Sequence, residues 1–220
     1  MKKENPTRER IVECAIALFN ARGAHSVTTN HIAEELGMSP GNLYYHYRNK
    51  QEIIRDIFAR ITVRFAEVWS LPEQSGPSAI SSLYEAISEI YFSYRFFYLE
   101  LPSLVAQDEI LRKEYIANQS AKREQISQVI SGFVSAGLMK SPADERELQS
   151  WIDTSWIIND FWLSYLAVSG RRITREGVQE GVVNFFYFIK PALTKKGLSA
   201  FFPPVGKNRV NTLYILRVPD

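Results

Sequence analysis

This sequence of 220 residues has little of what would tie it to a membrane or to an oxidising compartment. Its single cysteine, Cys14, excludes a disulfide within the chain. No apolar run approaches the ~20 residues that a membrane-spanning helix needs, and the first residues lack the apolar segment of a secretion signal. We therefore expect a cytoplasmic location and no membrane partner. Cys14 shares a helical face with Ile11, Ala15 and Leu18, which favours a packing residue over a redox sensor.

Sequence motifs of catalysis are missing as well. The chain contains no GxSxG, no P-loop, no GxGxxG after a strand and no HExxH. Its three histidines have no cysteine or carboxylate partners at ligand spacing, which argues against a metal site. The acidic pairs at 108–109 and 144–145 stand beside predicted helix starts, where capping explains them better than catalysis. We therefore expect no catalytic residue, no metal ligand and no cofactor.

A large excess of positive charge, the usual mark of a nucleic-acid-binding chain, is also missing. The net charge is only +2, and the first 60 residues carry nine Lys or Arg against seven Asp or Glu. One copy of the chain should therefore bind nucleic acid weakly. Two copies on a palindromic site would solve this, because each copy adds its own phosphate and base contacts.

What the sequence does contain is a dense series of helix signals in residues 28–53, TTNHIAEELGMSPGNLYYHYRNKQEI. Thr28 or Thr29 can cap a first helix, and Gly37 supplies the positive φ that ends it. Ser39 can then cap a second helix, whose first position is a proline that loses no needed N–H. The segment is therefore predicted to form two short helices joined by a tight turn.

The second of these helices is rich in hydrogen-bonding side chains. Leu43 and Tyr47, four positions apart, are expected to face inward. Asn49 with Glu52 three residues later has the capping-box pattern of a third helix. This arrangement is how many proteins place one helix in the major groove of DNA, although it also arises by chance in helical proteins. The side chains left to face DNA are Asn42, Tyr44, Tyr45 and His46.

Residues 7–55 resemble the DNA-binding domain of the TetR/AcrR family of bacterial transcriptional regulators almost continuously. In that family the element that matches residues 39–47 is the recognition helix, which Ser39 would begin here. The resemblance implies two sets of contacts to double-stranded DNA. Phosphates are expected to be bound by Thr29, Tyr45, His46 and Lys50. Bases are expected to lie near Pro40, Gly41, Asn42 and Tyr44.

The remainder of the chain is predicted to be helical. Apolar residues spaced three and four apart predict a long helix over 50–70, and the prolines and glycine of 71–78 predict the loop that ends it. Further helices are predicted at about 79–98, 103–118, 119–137, 145–169 and 174–194, with breaks at Pro102 and at 118–120. The predicted fold class is all-α, with a three-helix helix-turn-helix DNA-binding domain and a larger helical domain.

Four segments follow from this pattern. We assign 1–49 to DNA binding, 50–78 to a connecting helix and loop, 79–196 to effector binding and dimerisation, and 197–220 to an irregular tail. The stretch YFSYRFFYLELPSL resembles a TetR subgroup of repressors, but this likeness names no ligand. The tail contains the strand-like run NTLYILRV, to which we assign no function.

The two most apolar helices, within 151–166 and 182–193, carry aromatic side chains on more than one face. A helix that is apolar all round must be covered on every side. The resemblance implies that these helices form a four-helix bundle with their copies in a homodimer, while the alternative is the core of a monomer. The expected interface residues are Trp151, Ile152, Trp156, Phe185, Phe186 and Ile189.

A mixed set of aromatic and polar side chains lies on helices that are expected to be neighbours. Such a lining suits an amphipathic small molecule whose polar end Arg95, Asn159 or Asp160 would orient, although core packing also explains the aromatics. The candidate effector-binding residues are Tyr91, Tyr94, Arg95, Tyr98, Asn159, Trp162 and Tyr165.

Taken together, these features favour a ligand-responsive transcription factor, namely a dimeric repressor on a palindromic operator. A small-molecule effector of unknown identity would release it by changing the spacing of two recognition helices through the helix at 50–70. The competing interpretations are a helical enzyme and a helical interaction module that does not bind DNA.

Overall fold

The structure is a computed structural model that describes residues 5–69 and 77–202. These residues form helices and no named strand, which confirms the all-α fold class. The helices near the amino terminus are α1 (Pro6–Arg22), α2 (Thr29–Glu35), α3 (Pro40–His46) and α4 (Lys50–Trp69). They are followed by α5 (Pro77–Ser93), α6 (Arg95–Gln107), α7 (Glu109–Ser135), α8 (Glu145–Val168), α9 (Arg175–Ile189), a 3₁₀ turn (Lys190–Ala192) and α10 (Lys195–Phe201).

The described helices fall into two compact units. The amino-terminal unit takes in the described parts of 1–67 and 93–115, and the carboxy-terminal unit takes in those of 68–92 and 116–220. The chain therefore passes from one unit to the other three times. The amino-terminal unit is larger than the segment 1–49, because α4, α6 and the start of α7 pack with α1, α2 and α3.

Helix α1 forms the centre of the amino-terminal unit. The side chain of Asn5 accepts a hydrogen bond of 3.0 Å from the N–H of Thr7 and so caps the helix, which ends before Gly23 at φ +79°. One face of the helix is buried, and it is formed by Ile11, Val12, Ala15, Leu18 and Phe19. Cys14 lies beside this face and is half-buried, so it is less covered than the buried packing residue that the sequence predicts.

Helix α6 is joined to the amino-terminal unit by aromatic and polar contacts. The ring of Phe96 lies 5.0 Å from that of Phe19, and Phe97 stacks on Phe58 of α4 at 5.4 Å. The side chain of Asn20 accepts from the N–H of Phe96 and donates to the carbonyl of Ser93 at 2.7 Å. These bonds satisfy backbone groups at the start of α6, so α6 belongs to the core of this unit.

Two predicted helix breaks are wrong. Pro102 lies inside α6, where buried neighbours on both sides outweigh the loss of one N–H, and α7 continues through 118–120. The break falls at Asp108, whose carboxylate accepts the N–H groups of Ile110 and Leu111 and pairs with Arg55 at 2.6 Å. The predicted capping role of the acidic pairs is thus confirmed at Asp108, and Asp144 likewise caps α8.

In the carboxy-terminal unit, α8 and α9 approach closely where Trp162 covers two glycines. The Trp162 Nε1–H donates to the carbonyl of Gly177 at 2.7 Å. A Cβ atom at Gly181 would lie 2.3 Å from Cδ1 of Trp162, so only glycine fits this position without movement.

The chain after α9 begins with ordered structure rather than with an irregular tail. Met139 and Leu193 form an isolated antiparallel bridge, and the Thr194 side chain caps α10 by accepting the N–H of Gly197. The predicted tail at 197–220 is therefore helical as far as Phe201. Its remaining part from 203, and most of the predicted loop at 71–78, lie outside the described residues.

We expect Gly181→Ala to lower the free energy of unfolding by about 1–3 kcal/mol, because the added methyl group overlaps the Trp162 ring. The matched control is Gly132→Ala on α7, where no atom of the described residues would lie within 4 Å of the added carbon. That substitution should stabilise the protein by about 0.5–1 kcal/mol, since alanine favours helix. Urea denaturation measures both, and equal effects of the two variants would contradict the close packing of α8 on α9.

Candidate nucleic-acid interface

The turn between α2 and α3 is fixed by local hydrogen bonds. The Thr28 hydroxyl accepts the N–H of His31, and Nδ1 of His31 accepts the N–H of Thr28, both at 3.3 Å. Gly37 ends α2 at φ +63°, and the Ser39 hydroxyl accepts the N–H of Asn42 at 3.2 Å to begin α3. The predicted caps are confirmed, with His31 as an unforeseen partner of Thr28.

Helix α3 has one buried and one exposed face. Leu43 and Tyr47 are completely buried, as predicted. Tyr45 is 84% exposed, and Asn42 is also on the outside. The other predicted DNA contacts on this helix are the exposed Pro40, Gly41 and Tyr44 and the half-buried His46. The outward face therefore carries amide and phenol groups that can reach a ligand without unfolding the helix.

A hydrogen bond connects the outward faces of α2 and α3. The hydroxyl groups of Thr29 and Tyr44 lie 3.2 Å apart. These two residues belong to different predicted sets, one for phosphates and one for bases. Their contact fixes the two sets relative to each other before any DNA is bound.

The end of α3 is anchored to α4 through the buried Tyr47. Its hydroxyl donates to Oδ2 of Asp56 at 2.5 Å, and the Arg8 guanidinium lies 4.2 Å from its ring centre. Arg8 also pairs with the same carboxylate oxygen at 3.1 Å. Arg60 extends this network, since it lies 3.7 Å from Asp56 and 2.6 Å from Glu9 of α1. The network holds α1, α3 and α4 together behind the exposed face.

The charge of Asp56 is stabilised within this network. Burial alone would raise the pKa of Asp56, but the hydrogen bonds from Tyr47 and Arg8 and the charge of Arg60 hold it below its ordinary value. Burial and the bond to Asp56 raise the pKa of Tyr47, so its hydroxyl remains a donor.

The loop between α1 and α2 is held from two sides. Lys50 Nζ donates to the carbonyls of Ala24 at 2.5 Å and Val27 at 2.9 Å. The Glu100 carboxylate on α6 accepts the N–H groups of Ala24 and His25 at 2.7 and 3.2 Å. Lys50 was expected to bind a phosphate, yet two of its three ammonium donors bind the protein itself. At most one donor is left for DNA.

Sequence reasoning missed the roles of Asp56 and Glu100. Asp56 stands four residues before Arg60 on α4, a spacing at which opposite charges on a helix pair. Glu100 is the only acidic residue in the fourteen-residue aromatic stretch YFSYRFFYLELPSL, a pattern that also indicates a specific contact. The other partners of Asp56, Arg8 and Tyr47, and the loop N–H groups bound by Glu100 lie farther away in the sequence, so spacing could not pair them.

The seven predicted effector-binding residues are divided between the two units. The amino-terminal unit holds Tyr94, Arg95 and Tyr98, of which Arg95 donates to the carbonyl of Asn20 at 3.5 Å. The carboxy-terminal unit holds Tyr91, Asn159, Trp162 and Tyr165. Tyr91, Asn159 and Trp162 line a cavity of about 10 Å³, which is room for a single water molecule. Tyr165 lies on the surface.

The predicted dimer residues also divide into two groups. Ile152 is 1% exposed and Phe186 6%, so their side chains belong to the core of the chain and leave little surface for contact with a second copy. The four that are half-buried are Trp151, Trp156, Phe185 and Ile189. A different set of apolar side chains is exposed on α8 and α9, namely Ile157, Phe161, Tyr165, Val168 and Tyr187.

The described part of the chain contains neither a grouped set of metal ligands nor a membrane-spanning helix. No three histidine, cysteine or carboxylate side chains between 5 and 69 or between 77 and 202 are grouped to hold a metal ion. Within the same ranges, every helix is too short or too polar to cross a membrane.

Comparison with protein families matches both parts of the chain. Residues 11–57 match the model of bacterial regulatory proteins of the tetR family, and residues 65–201 match TetR, a bacterial transcriptional repressor domain. The second match alone spans more than half of the sequence. The chain belongs to the TetR family. It is thus a DNA-binding transcriptional regulator of the repressor type and not an enzyme.

Individual relatives agree with this assignment. HTH-type transcriptional repressor KstR2 of Rhodococcus jostii (strain RHA1) is 26% identical over 159 residues, which is 68% of this chain and 76% of that protein. The fatty acid metabolism regulator protein of Bacillus subtilis (strain 168) is 20% identical over 191 residues, 77% and 93% of the two chains. A TetR-family regulator from Marinobacter aquaeolei VT8 has a crystal structure with TM-score 0.75 and 29% identity, covering 86% of this chain and 92% of that one.

The Asp56 network leads to a pH-dependent prediction. Because the pKa of Asp56 is lowered by folding, its charge stabilises the fold above its unfolded pKa of about 3.9, and this contribution is lost as the pH falls through the folded pKa. We expect Asp56→Asn to reduce the free energy of unfolding at pH 7 by about 1–3 kcal/mol, and by less below pH ~4. Urea denaturation across this pH range measures the difference.

The control for this variant is Asp153→Asn, which removes a carboxylate on the surface of α8. It should change stability little at any pH, since exposed ion pairs contribute about 0–1 kcal/mol. If the loss caused by Asp56→Asn were the same at both ends of the pH range, the ionised carboxylate would not be the stabilising species.

Substitution of Tyr45 should change DNA binding alone, whereas substitution of Lys50 should also lower the stability of the fold. Tyr45→Ala should weaken DNA binding about tenfold and leave the melting temperature unchanged, because the side chain is exposed. Lys50→Met should lower the melting temperature as well, since it leaves the carbonyls of Ala24 and Val27 without their donor. Circular dichroism and gel retardation separate the two effects. An unchanged melting temperature for Lys50→Met would make its loop contacts unimportant for stability.

Proposed function

We propose that the chain acts as a homodimer that binds a palindromic operator and is released from it by a small amphipathic effector. The observation that carries the proposal is the exposed face of α3, on which Asn42, Tyr44 and Tyr45 point outward while Leu43 and Tyr47 fix the helix from behind. This face presents groups suited to DNA in a preorganised form.

The DNA contacts follow from the chemistry of these side chains. The exposed amide of Asn42 can donate to N7 and accept from N6 of an adenine in the major groove. The hydroxyl of Tyr45 can donate to a phosphate oxygen. The hydroxyl of Tyr44, on the same helix, pairs with that of Thr29 on α2, and both can reach DNA from the same side of the unit. Phosphate contacts would set the register, and Asn42 would provide sequence preference.

The proposed dimer uses the exposed apolar side chains of the carboxy-terminal unit. Ile157, Phe161, Tyr165 and Val168 follow one another on α8 at intervals of four, four and three, so they lie along one side of the helix. A second copy that covers this side would bury it in an isologous interface. The low net charge of +2 supports the same conclusion, since two copies are needed for adequate phosphate contacts.

Release by an effector requires a route between the two units of one chain. Helices α4 and α7 both pass from one unit into the other, and α6 holds the loop before α2 through Glu100. An effector that binds two arrangements of the carboxy-terminal unit unequally would change the separation of the two copies of α3. On a palindrome with fixed half-site spacing, that change lowers affinity.

The central experiment is gel retardation of the DNA upstream of the gene at low salt. Wild-type protein should retard this fragment more strongly than a scrambled duplex of equal length. Asn42→Ala should remove the preference and retain the binding shared by both duplexes. Failure of the wild-type protein to retard either duplex would overturn the proposed operator binding.

The proposed interface is tested by Phe161→Asp. A charge at this position should disfavour burial against a second copy, so we expect a monomer and about 100-fold or more weaker operator binding. The control is Ile110→Asp, which places the same charge at an exposed apolar position in the first turn of α7 and should remain dimeric. Analytical ultracentrifugation reports the state of association. A dimeric Phe161→Asp variant would place the interface elsewhere.

A further inference from the structure

The carboxy-terminal unit buries a polar cluster that DNA binding does not use. Asp160 on α8 is 8% exposed, and its Oδ1 accepts a hydrogen bond of 3.4 Å from the hydroxyl of Tyr91 on α5. Removing a carboxylate from water is costly, and a helical core gains more from apolar side chains of similar size. The cluster is therefore better explained by recognition of a ligand than by stability.

A second buried polar group lies on the same face of α5 as Tyr91. Ser88 lies one turn before Tyr91 on α5, so the two side chains are neighbours. Its hydroxyl is buried, with 5% of the residue exposed, and has no hydrogen-bond partner among the residues that the structure describes. An unsatisfied buried hydroxyl costs about 1–3 kcal/mol. A polar group of a bound molecule would supply the missing partner.

Lys122 of α7 brings a cation of the chain itself to this region. Its Nζ lies 5.9 Å from the ring centre of Trp156 on α8, within the range of a cation–π contact. Burial lowers the pKa of Lys122, and the negative charge of Asp160 acts in the opposite direction. The residue is half-buried, so its long stem can swing the ammonium into water without a change in the backbone.

We propose that Asp160, Tyr91 and Trp156 bind the ammonium head of an amphipathic organic cation, which displaces the Lys122 ammonium from the same place. This inference rests on the proposed function, because it names the chemical class of the effector. The buried carboxylate and the aromatic face both favour positive charge. An anionic ligand would instead place its charge beside the carboxylate of Asp160.

The apolar side chains around this cluster would contact the apolar part of the ligand, and the lack of space there explains how binding would change the protein. The cavity of about 10 Å³ beside Tyr91 is walled by Leu163, Val178 and Val182, but it has no room for an alkyl chain. Within this cavity, a ligand with such a chain fits only if α5, α8 and α9 separate. It therefore binds the opened arrangement much more tightly than the closed one, which is the requirement for a ligand that shifts a conformational equilibrium.

The test compares two probes of equal length and opposite charge, octylammonium and octanoate, by calorimetry on the full-length protein. Wild type should bind octylammonium and not octanoate. Lys122→Met should bind octylammonium about tenfold more tightly, because the competing ammonium is gone, and Asp160→Asn about tenfold more weakly. The control, Lys195→Met, removes an exposed ammonium of the same unit and should match wild type.

The decisive result is tighter octylammonium binding by Lys122→Met together with weaker binding by Asp160→Asn. Preference for octanoate, or weaker octylammonium binding by Lys122→Met, would overturn the inference. If Asp160→Asn does not fold by circular dichroism, the sign of the Lys122→Met effect decides alone. Gel retardation by wild type without ligand tests DNA binding separately, so retardation that persists while octylammonium fails to bind overturns only the cation site.

Discussion

The hydrogen bond from the Tyr47 hydroxyl to Asp56 is the contact on which the placement of α3 depends. A helix of two turns has too few internal hydrogen bonds to hold its own position, so its direction must come from tertiary contacts. Leu43 provides a buried attachment at the middle of α3, and Tyr47 provides one at its end. With Arg8 on the same carboxylate, three helices meet at one point. The outward side chains of α3 are therefore held in a fixed orientation.

The sequence predicted those features whose partners are close along the chain. Thr28, Ser39 and Asp144 are predicted to cap helices, and each caps one, because the capping oxygen and the N–H that donates to it lie only three residues apart. The inward direction of Leu43 and Tyr47 followed from helical periodicity for the same reason. Membership of the TetR family and the all-α class rested on a continuous run of such local signals.

Features that depend on distant partners could not be predicted. The position of Lys50 suggested a phosphate contact, but the carbonyls that bind it belong to a loop more than twenty residues earlier. The apolar periodicity of α8 and α9 shows that more than one face is apolar but not which face the chain covers itself, and Ile152 and Phe186 lie on a face that it covers. A proline normally interrupts a helix, so the sequence predicts a break at Pro102. The burial of its neighbours, which keeps α6 continuous, is a tertiary property that the sequence does not show.

The contribution of α6 to the amino-terminal unit has a consequence for how the protein is made. Phe19 and Phe58 pack against Phe96 and Phe97 of α6, and a ribosome adds Phe97 about forty residues after Phe58. The nascent DNA-binding helices must therefore wait, with aromatic surface exposed, until the chain has returned from α5. The residues of the amino-terminal unit are thus all present only after α6 and the start of α7 have been made, when the larger part of the carboxy-terminal unit, from 116 onward, is still to be synthesised.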